Sequence, residues 1–157
     1  MGGSDARLDG SDLRIALVVS RYNDCVTDRL LLGAQSYLDE HGCLSERRTV
    51  IHVPGAWELP LAASRIAGSG DVDAIVALGA LIRGETSHFE HIAAAVAAGL
   101  ARVALDSGVP TSFGVLTTDT VEQALARAGG VRGDKGREAA QAALEMALLC
   151  AERGGRR

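Results

Sequence analysis

Asp73-Ala-Ile-Val-Ala-Leu-Gly-Ala-Leu-Ile-Arg-Gly-Glu-Thr-Ser-His88 decides the architecture of this chain. Ala74 to Leu81 carry no polar side chain, the pattern of a strand buried on both faces rather than one half in water. The polar stretch around Arg83 to Ser87 breaks that pattern. A helix then spans Ser87 to Leu105, with Ile92, Val96, Leu100 and Val103 on one face. Working outward in both directions, the same alternation repeats. Arg14 to Ser20 is a second aliphatic strand, and Asp24 to Glu40 a helix stopped by Gly42, with Leu30, Leu31, Ala34, Tyr37 and Leu38 at helical spacing. Thr49 to Val53 is a strand ended by Pro54-Gly55, and Glu58 to Ala67 a short helix. Pro110 to Leu116 is the last predicted strand. Thr120 to Ala128 and Gly136 to Glu152 are two further helices.

Strands alternating with helices form a parallel sheet covered on both faces. Four or five short strands give a flavodoxin-like α/β fold: a three-layer α/β/α sandwich around a four-stranded parallel sheet. The 157 residues fit one domain, expected over residues 13–157, after a polar, glycine-rich and flexible segment over 1–12. Apolar residues make up 47% and charged residues 23%, with a formal net charge of -4, which excludes a disordered chain. Without a basic stripe, nucleic acid is not an expected partner. The apolar run Ile92 to Ala101 is about half of a membrane span, so no membrane partner is expected either. The N-terminus does not read as a signal peptide. Three cysteines, Cys25, Cys43 and Cys150, share no metal-like spacing and read as reduced thiols of a cytoplasmic protein. Two scarce residue types stand out. There are five aromatics, Tyr22, Tyr37, Trp57, Phe89 and Phe113, and one lysine, Lys135, beside fifteen arginines.

In an open parallel sheet, ligands bind beyond the carboxyl ends of the strands. Those ends are Ser20-Arg-Tyr-Asn23, Pro54-Gly-Ala-Trp-Glu-Leu-Pro60, Leu81-Ile-Arg-Gly-Glu-Thr-Ser-His88 and Phe113-Gly-Val-Leu-Thr-Thr118. The turn at Gly84 to Ser87 opens a helix, where unpaired N–H groups and the helix dipole suit an anion such as phosphate. It reads equally as a plain capping turn, with Thr86 or Ser87 as N-cap and Glu90 completing a capping box. A neutral imidazole at His88 could take and return protons beside such an anion, with His91 as a weaker candidate. Glu58 could accept from ligand hydroxyls or merely complement its own helix start. Tyr22 could stack on a planar ring, and Asn23 could read polar edges or cap a helix. Arg127, Arg132 and Lys135 border a glycine-rich turn that reads either as a solvated loop or as an anion contact, and the latter could be made in a neighbouring subunit. The P-loop and G-x-G-x-x-G motifs are absent, and His52, His88 and His91 lack ligand partners at metal spacing, so no metal is expected.

Taken together, the four strand-end segments and Arg127-Ala-Gly…Asp134-Lys-Gly136 resemble the lumazine synthase family of riboflavin biosynthesis, over about residues 12–150. The resemblance implies condensation of 5-amino-6-(D-ribitylamino)uracil with 3,4-dihydroxy-2-butanone 4-phosphate, with loss of phosphate and water and no cofactor. It implies that Tyr22 stacks on the uracil. Asn23, Ala56, Trp57 and Glu58 line the ribityl side, and Ala80, Leu81 and Ile82 bind the pyrimidine through backbone groups. Glu85 and Thr86 hold phosphate with Arg127, and His88 moves protons. Phe113 and Lys135 close the site from the next subunit of a homopentamer. The compact Arg127-to-Lys135 turn is similar to that of members whose pentamers build an icosahedral capsid, and riboflavin synthase is a partner the family implies. Tyr22 and Trp57 keep rings where the family varies. Asp134 replaces a frequent Asn and is expected to put a carboxylate beside Lys135. A non-catalytic flavin or lumazine binder and a pure shell protein stay open as alternatives, as does the more distant pentameric riboflavin synthase of archaea.

Overall fold

The computed structural model describes residues 8–154. β1 (Ile15–Ser20), β2 (Arg48–Val53), β3 (Ala74–Ile82) and β4 (Thr111–Thr118) form one parallel sheet in the order β2-β1-β3-β4. The expected four-stranded sandwich is what the chain builds. Its registers run Ile15 opposite Arg48, Ile15 opposite Ala74, and Ile75 opposite Thr111. The two central strands are β1 and β3, and the longest stretches of continuous burial fall there.

Successive side chains of a strand point to opposite faces, and that rule divides the core in two. Ile15, Leu17 and Val19 of β1 and Ala74, Val76, Leu78 and Ala80 of β3 pack under α1 (Asp24–Glu40) and α5 (Lys135–Gly154), meeting Leu30, Leu38, Ala140 and Leu144. Ala16, Val18, Ile75 and Ala77 face the other way. They meet Leu59 and Ala63 of α2 (Leu59–Gly68) and Val96 and Leu100 of α3 (His88–Ser107).

The α1–α5 contact is unusually close. A Cβ on Gly136 would lie 2.0 Å from the Leu30 carbonyl oxygen, so the bare backbone of α5 rests on that of α1. Of the segment expected to be flexible, residues 1–7 lie outside the described residues. Leu8 packs against the core, and the Gly10 N–H donates to the His41 carbonyl at 2.9 Å.

Two local expectations need correction. The helix expected over Thr120 to Ala128 is α4 (Val121–Ala126), capped by the Thr120 hydroxyl, which accepts from the Gln123 N–H at 3.1 Å. The glycine turn after it is a small antiparallel hairpin, β5 (Ala128–Gly130) with β6 (Gly133–Asp134). Among the described residues, no helix is long and apolar enough to cross a membrane.

Candidate active site

The ends of β1 and β2 are sewn together before they reach the site. The N–H groups of Arg21 and Tyr22 donate to the Pro54 carbonyl at 3.1 and 3.0 Å. This delivers Tyr22 onto Gly55, where a Cβ would meet the ring at 2.6 Å. Asn23 follows at φ 63°, the one described non-glycine residue with positive φ. Asparagine tolerates that conformation because its short amide can bond locally. Here its Nδ2 donates to the Ala80 carbonyl at the end of β3, 3.1 Å away, rather than capping α1. Asn23 therefore pegs the first strand end to the third, and one lone pair of the Ala80 carbonyl is spent on that peg.

After β2, Ala56–Glu58 form a single 3-10 turn. The Glu58 carboxylate accepts from the Gly55 N–H at 2.9 Å. One Glu58 oxygen thus closes the turn at its own helix start. Ala56 is buried, whereas Tyr22 is 66% and Trp57 59% exposed, rings that a core would have taken in.

The turn beyond β3 is exposed throughout from Arg83 to His88. No capping box forms. Ser87 makes no side-chain cap, and Glu90 is drawn away to the Arg83 guanidinium. Among the described residues, the amides of Gly84, Glu85, Thr86 and Ser87 donate to no protein acceptor, while Thr86 Oγ1 accepts weakly from the His88 N–H at 3.4 Å. Unpaired donors ahead of a helix, with the helix dipole behind them, bind anions. His88 opens α3 next to these donors.

Along the free edge of β4 lies a cavity of about 660 Å³. Its lining includes Phe113, Thr117, Asp119, Arg127, Arg132 and Lys135. The Lys135 N–H donates to the Arg127 carbonyl at 2.8 Å, so the hairpin holds both cations on one rim. Asp134 does not face Lys135 as expected. Its carboxylate accepts from the N–H groups of Gly136 and Arg137 at 3.0 and 3.2 Å, capping α5, and lies against Gly33 of α1. The Lys135 ammonium is 3.7 Å from Glu138 instead.

The candidate residues thus fall into two groups, two candidate half-sites. Ala80, Leu81 and Ile82 are the last residues of β3, and Tyr22, Asn23, Ala56, Trp57, Glu58, Glu85, Thr86 and His88 lie beyond the strand ends. Phe113, Arg127 and Lys135 line the edge cavity. Phe113 sits opposite Ala77, whereas the strand end is the pair Ile82 and Thr118. Five residues of strand make about 16 Å, too far for Phe113 to reach the His88 turn of its own chain.

The family model for 6,7-dimethyl-8-ribityllumazine synthase matches residues 12–151. The chain belongs to that family. The 6,7-dimethyl-8-ribityllumazine synthase of Salinibacter ruber is 52% identical to it over 145 residues, 92% of each chain. The enzyme of that name from Nitratidesulfovibrio vulgaris strain DP4 is 50% identical over 141 residues, 90% of each chain. The half-sites lie within the stretch that the family model spans. Reading by motif left Arg83 without a role. Its signal was weak, an arginine whose partners, Glu90 and Asp119, lie on two other elements.

Proposed function

We propose that this chain is an enzyme that condenses 5-amino-6-(D-ribitylamino)uracil with 3,4-dihydroxy-2-butanone 4-phosphate to give 6,7-dimethyl-8-ribityllumazine. The observation that carries the reading is the exposed turn of unpaired amides at Gly84 to Ser87 with His88 immediately beside it. A phosphate and a proton shuttle are needed at neighbouring points in this reaction, and the turn offers both.

The chemistry proceeds by imine formation between the 5-amino group and the ketone, phosphate elimination, tautomerisation, attack of the ribitylamino nitrogen, and dehydration. The difficulty lies in orientation and proton transfer, which the protein can supply without a cofactor. Tyr22 stacks on the pyrimidine, and Asn23, Ala56 and Trp57 line the ribityl side. Glu58 receives ribityl hydroxyls. The backbone of Ala80, Leu81 and Ile82 borders the ring. The amides of Glu85 and Thr86 hold the phosphate with Arg127, and His88 carries the protons.

The reading extends to assembly. Phe113 lies too far along β4 to serve its own His88, and it lines an open edge with Lys135. We infer that both complete the site of a neighbouring copy in a homopentamer. Leu61, Leu105 and Val131, at 67, 84 and 94% exposure, are apolar surface that a single copy leaves in water. The compact hairpin at Ala128–Asp134 favours a further icosahedral assembly of pentamers; from the family we infer a cytoplasmic location and riboflavin synthase as a partner. Light scattering or negative-stain microscopy showing only pentamers would reject the capsid.

The deciding experiment mixes both substrates with the protein and follows lumazine absorbance. We expect acceleration over the spontaneous reaction. A rate equal to that without protein overturns the enzyme reading and leaves a lumazine binder or shell protein.

A further inference from the structure

Arg83 joins the two half-sites, and no role in binding or catalysis accounts for the contacts it makes. Its backbone N–H donates to the Thr118 carbonyl at 2.8 Å, extending the β3–β4 ladder by one bond. Its guanidinium is then held from two sides. Nε donates to Asp119 at 2.7 Å, at the start of the β4–α4 connection. Nη1 donates to Glu90, in the first turn of α3. The guanidinium carbon also lies 4.8 Å from the centre of the Phe89 ring. The side-chain hydrogen bond from Arg83 is the main reason the Glu90 carboxyl stays below the ordinary glutamate range, so the pair is charged wherever the protein would work.

These contacts fix both ends of one short turn. Gly84 to Ser87 run from Arg83 to His88, and the turn is exposed and makes almost no hydrogen bonds of its own. Its start is anchored to β4 through the Arg83 N–H and Asp119. Its end is anchored through Phe89 and Glu90, which touch the same guanidinium. A surface ion pair contributes little to global stability. Here its effect falls on four residues with few other constraints. A planar fork with donors on two edges can serve both carboxylates at once, which a lysine ammonium does less well.

We propose that Arg83 is a positioning residue for the phosphate subsite: by clamping both ends of the 84–87 turn, it holds the amide cradle and His88 in binding geometry. The inference rests on the condensation reading above, since it takes the bound anion to be the phosphate of the four-carbon substrate.

The test measures the dissociation constant for inorganic phosphate, KM for each substrate, and thermal stability. In Arg83→Gln, phosphate binding weakens about tenfold, equivalent to about 1.4 kcal/mol. KM for the phosphorylated substrate rises in parallel, KM for the pyrimidine stays within about twofold, and the melting temperature barely moves. Arg83→Lys recovers only part of the loss. Asp119→Asn separates positioning from direct contact, because it keeps the Arg83 charge and removes its anchor. Weaker phosphate binding in that variant supports the clamp. Tighter binding shows Arg83 to be a plain anion contact and overturns it. Unchanged phosphate binding in Arg83→Gln also overturns it, as does an equal rise in both KM values with a fall in melting temperature. Wild-type protein that fails to bind phosphate overturns it as well. If wild type and variant differ in phosphate binding while neither accelerates the condensation, the clamp stands and the condensation reading falls.

Discussion

Gly136→Ala tests the packing that carries Lys135 into its cavity. The new Cβ would lie 2.0 Å from the Leu30 carbonyl oxygen and 2.8 Å from its carbon. Neither atom can rotate away, since both are backbone inside α1. The helices must therefore separate by about 1 Å, a shift of the kind that overpacked cores resist. Overpacking costs typically 1–3 kcal/mol, and a backbone obstacle puts this case near the top, about 3 kcal/mol. For a domain of this size, about 2–4 °C per kcal/mol gives a fall in melting temperature of about 6–12 °C. The assay is thermal or urea denaturation at fixed protomer concentration, because assembly would raise apparent stability by mass action. Gly68→Ala is the internal control. Gly68 ends α2 with nothing within 4 Å of its would-be Cβ, so the same substitution there is neutral or stabilising, by up to about 1 kcal/mol. Equal melting temperatures for Gly136→Ala and the parent would refute the close α1–α5 approach.

Four further outcomes follow from the site and its supports. His88→Ala should slow the chemical step by up to about 10²–10⁴-fold, and less if orientation supplies most of the rate. Arg127→Ala should raise KM for the phosphorylated substrate above all, and an unchanged KM removes Arg127 from the site; steady-state kinetics checks both. Asp134→Ala should cost about 1 kcal/mol as a lost N-cap, while Asp134→Asn should lose far less, measured by denaturation. Arg137 holds the Glu40 carboxyl below its ordinary value of 4.5 by hydrogen bonding across α1 and α5. A depressed carboxyl adds stability above that value and loses it as pH falls through the native value. Wild type should therefore exceed Glu40→Gln at pH 7, and the difference should vanish in acid titration; a difference that persists in strong acid contradicts the linkage.

The sheet was readable because β1 and β3 are unbroken aliphatic runs, and because Pro54, Gly55 and Gly84 mark where strands stop. The same marks drew attention to Tyr22, Trp57 and the polar turn, which lie just beyond strand ends, whereas Phe113 sits near the start of β4. Side-chain direction was not readable. Asp134 stands next to Lys135 in sequence, but the N–H groups of α5 compete for its carboxylate and win. Glu90 has the spacing of a capping box, yet the Arg83 guanidinium, just past β3, takes its carboxylate. Asn23 occupies the N-cap position but bonds across to Ala80. The β5–β6 hairpin escaped because Ala-Gly-Gly and Gly-Asp carry no alternating pattern. In each case the deciding partner lies outside the local motif or is a backbone group.

The distance from Phe113 to the end of its own strand has a genetic consequence. On the shared-site reading proposed above, a chain carrying His88→Ala and a chain carrying Phe113→Ala are damaged in different halves of the site. In a ring whose contacts run head to tail, a random equal mixture makes roughly one quarter of its junctions from two intact halves. Two impaired alleles brought together in one cell, or two impaired preparations dissociated and reassembled together, should then show more activity than either alone.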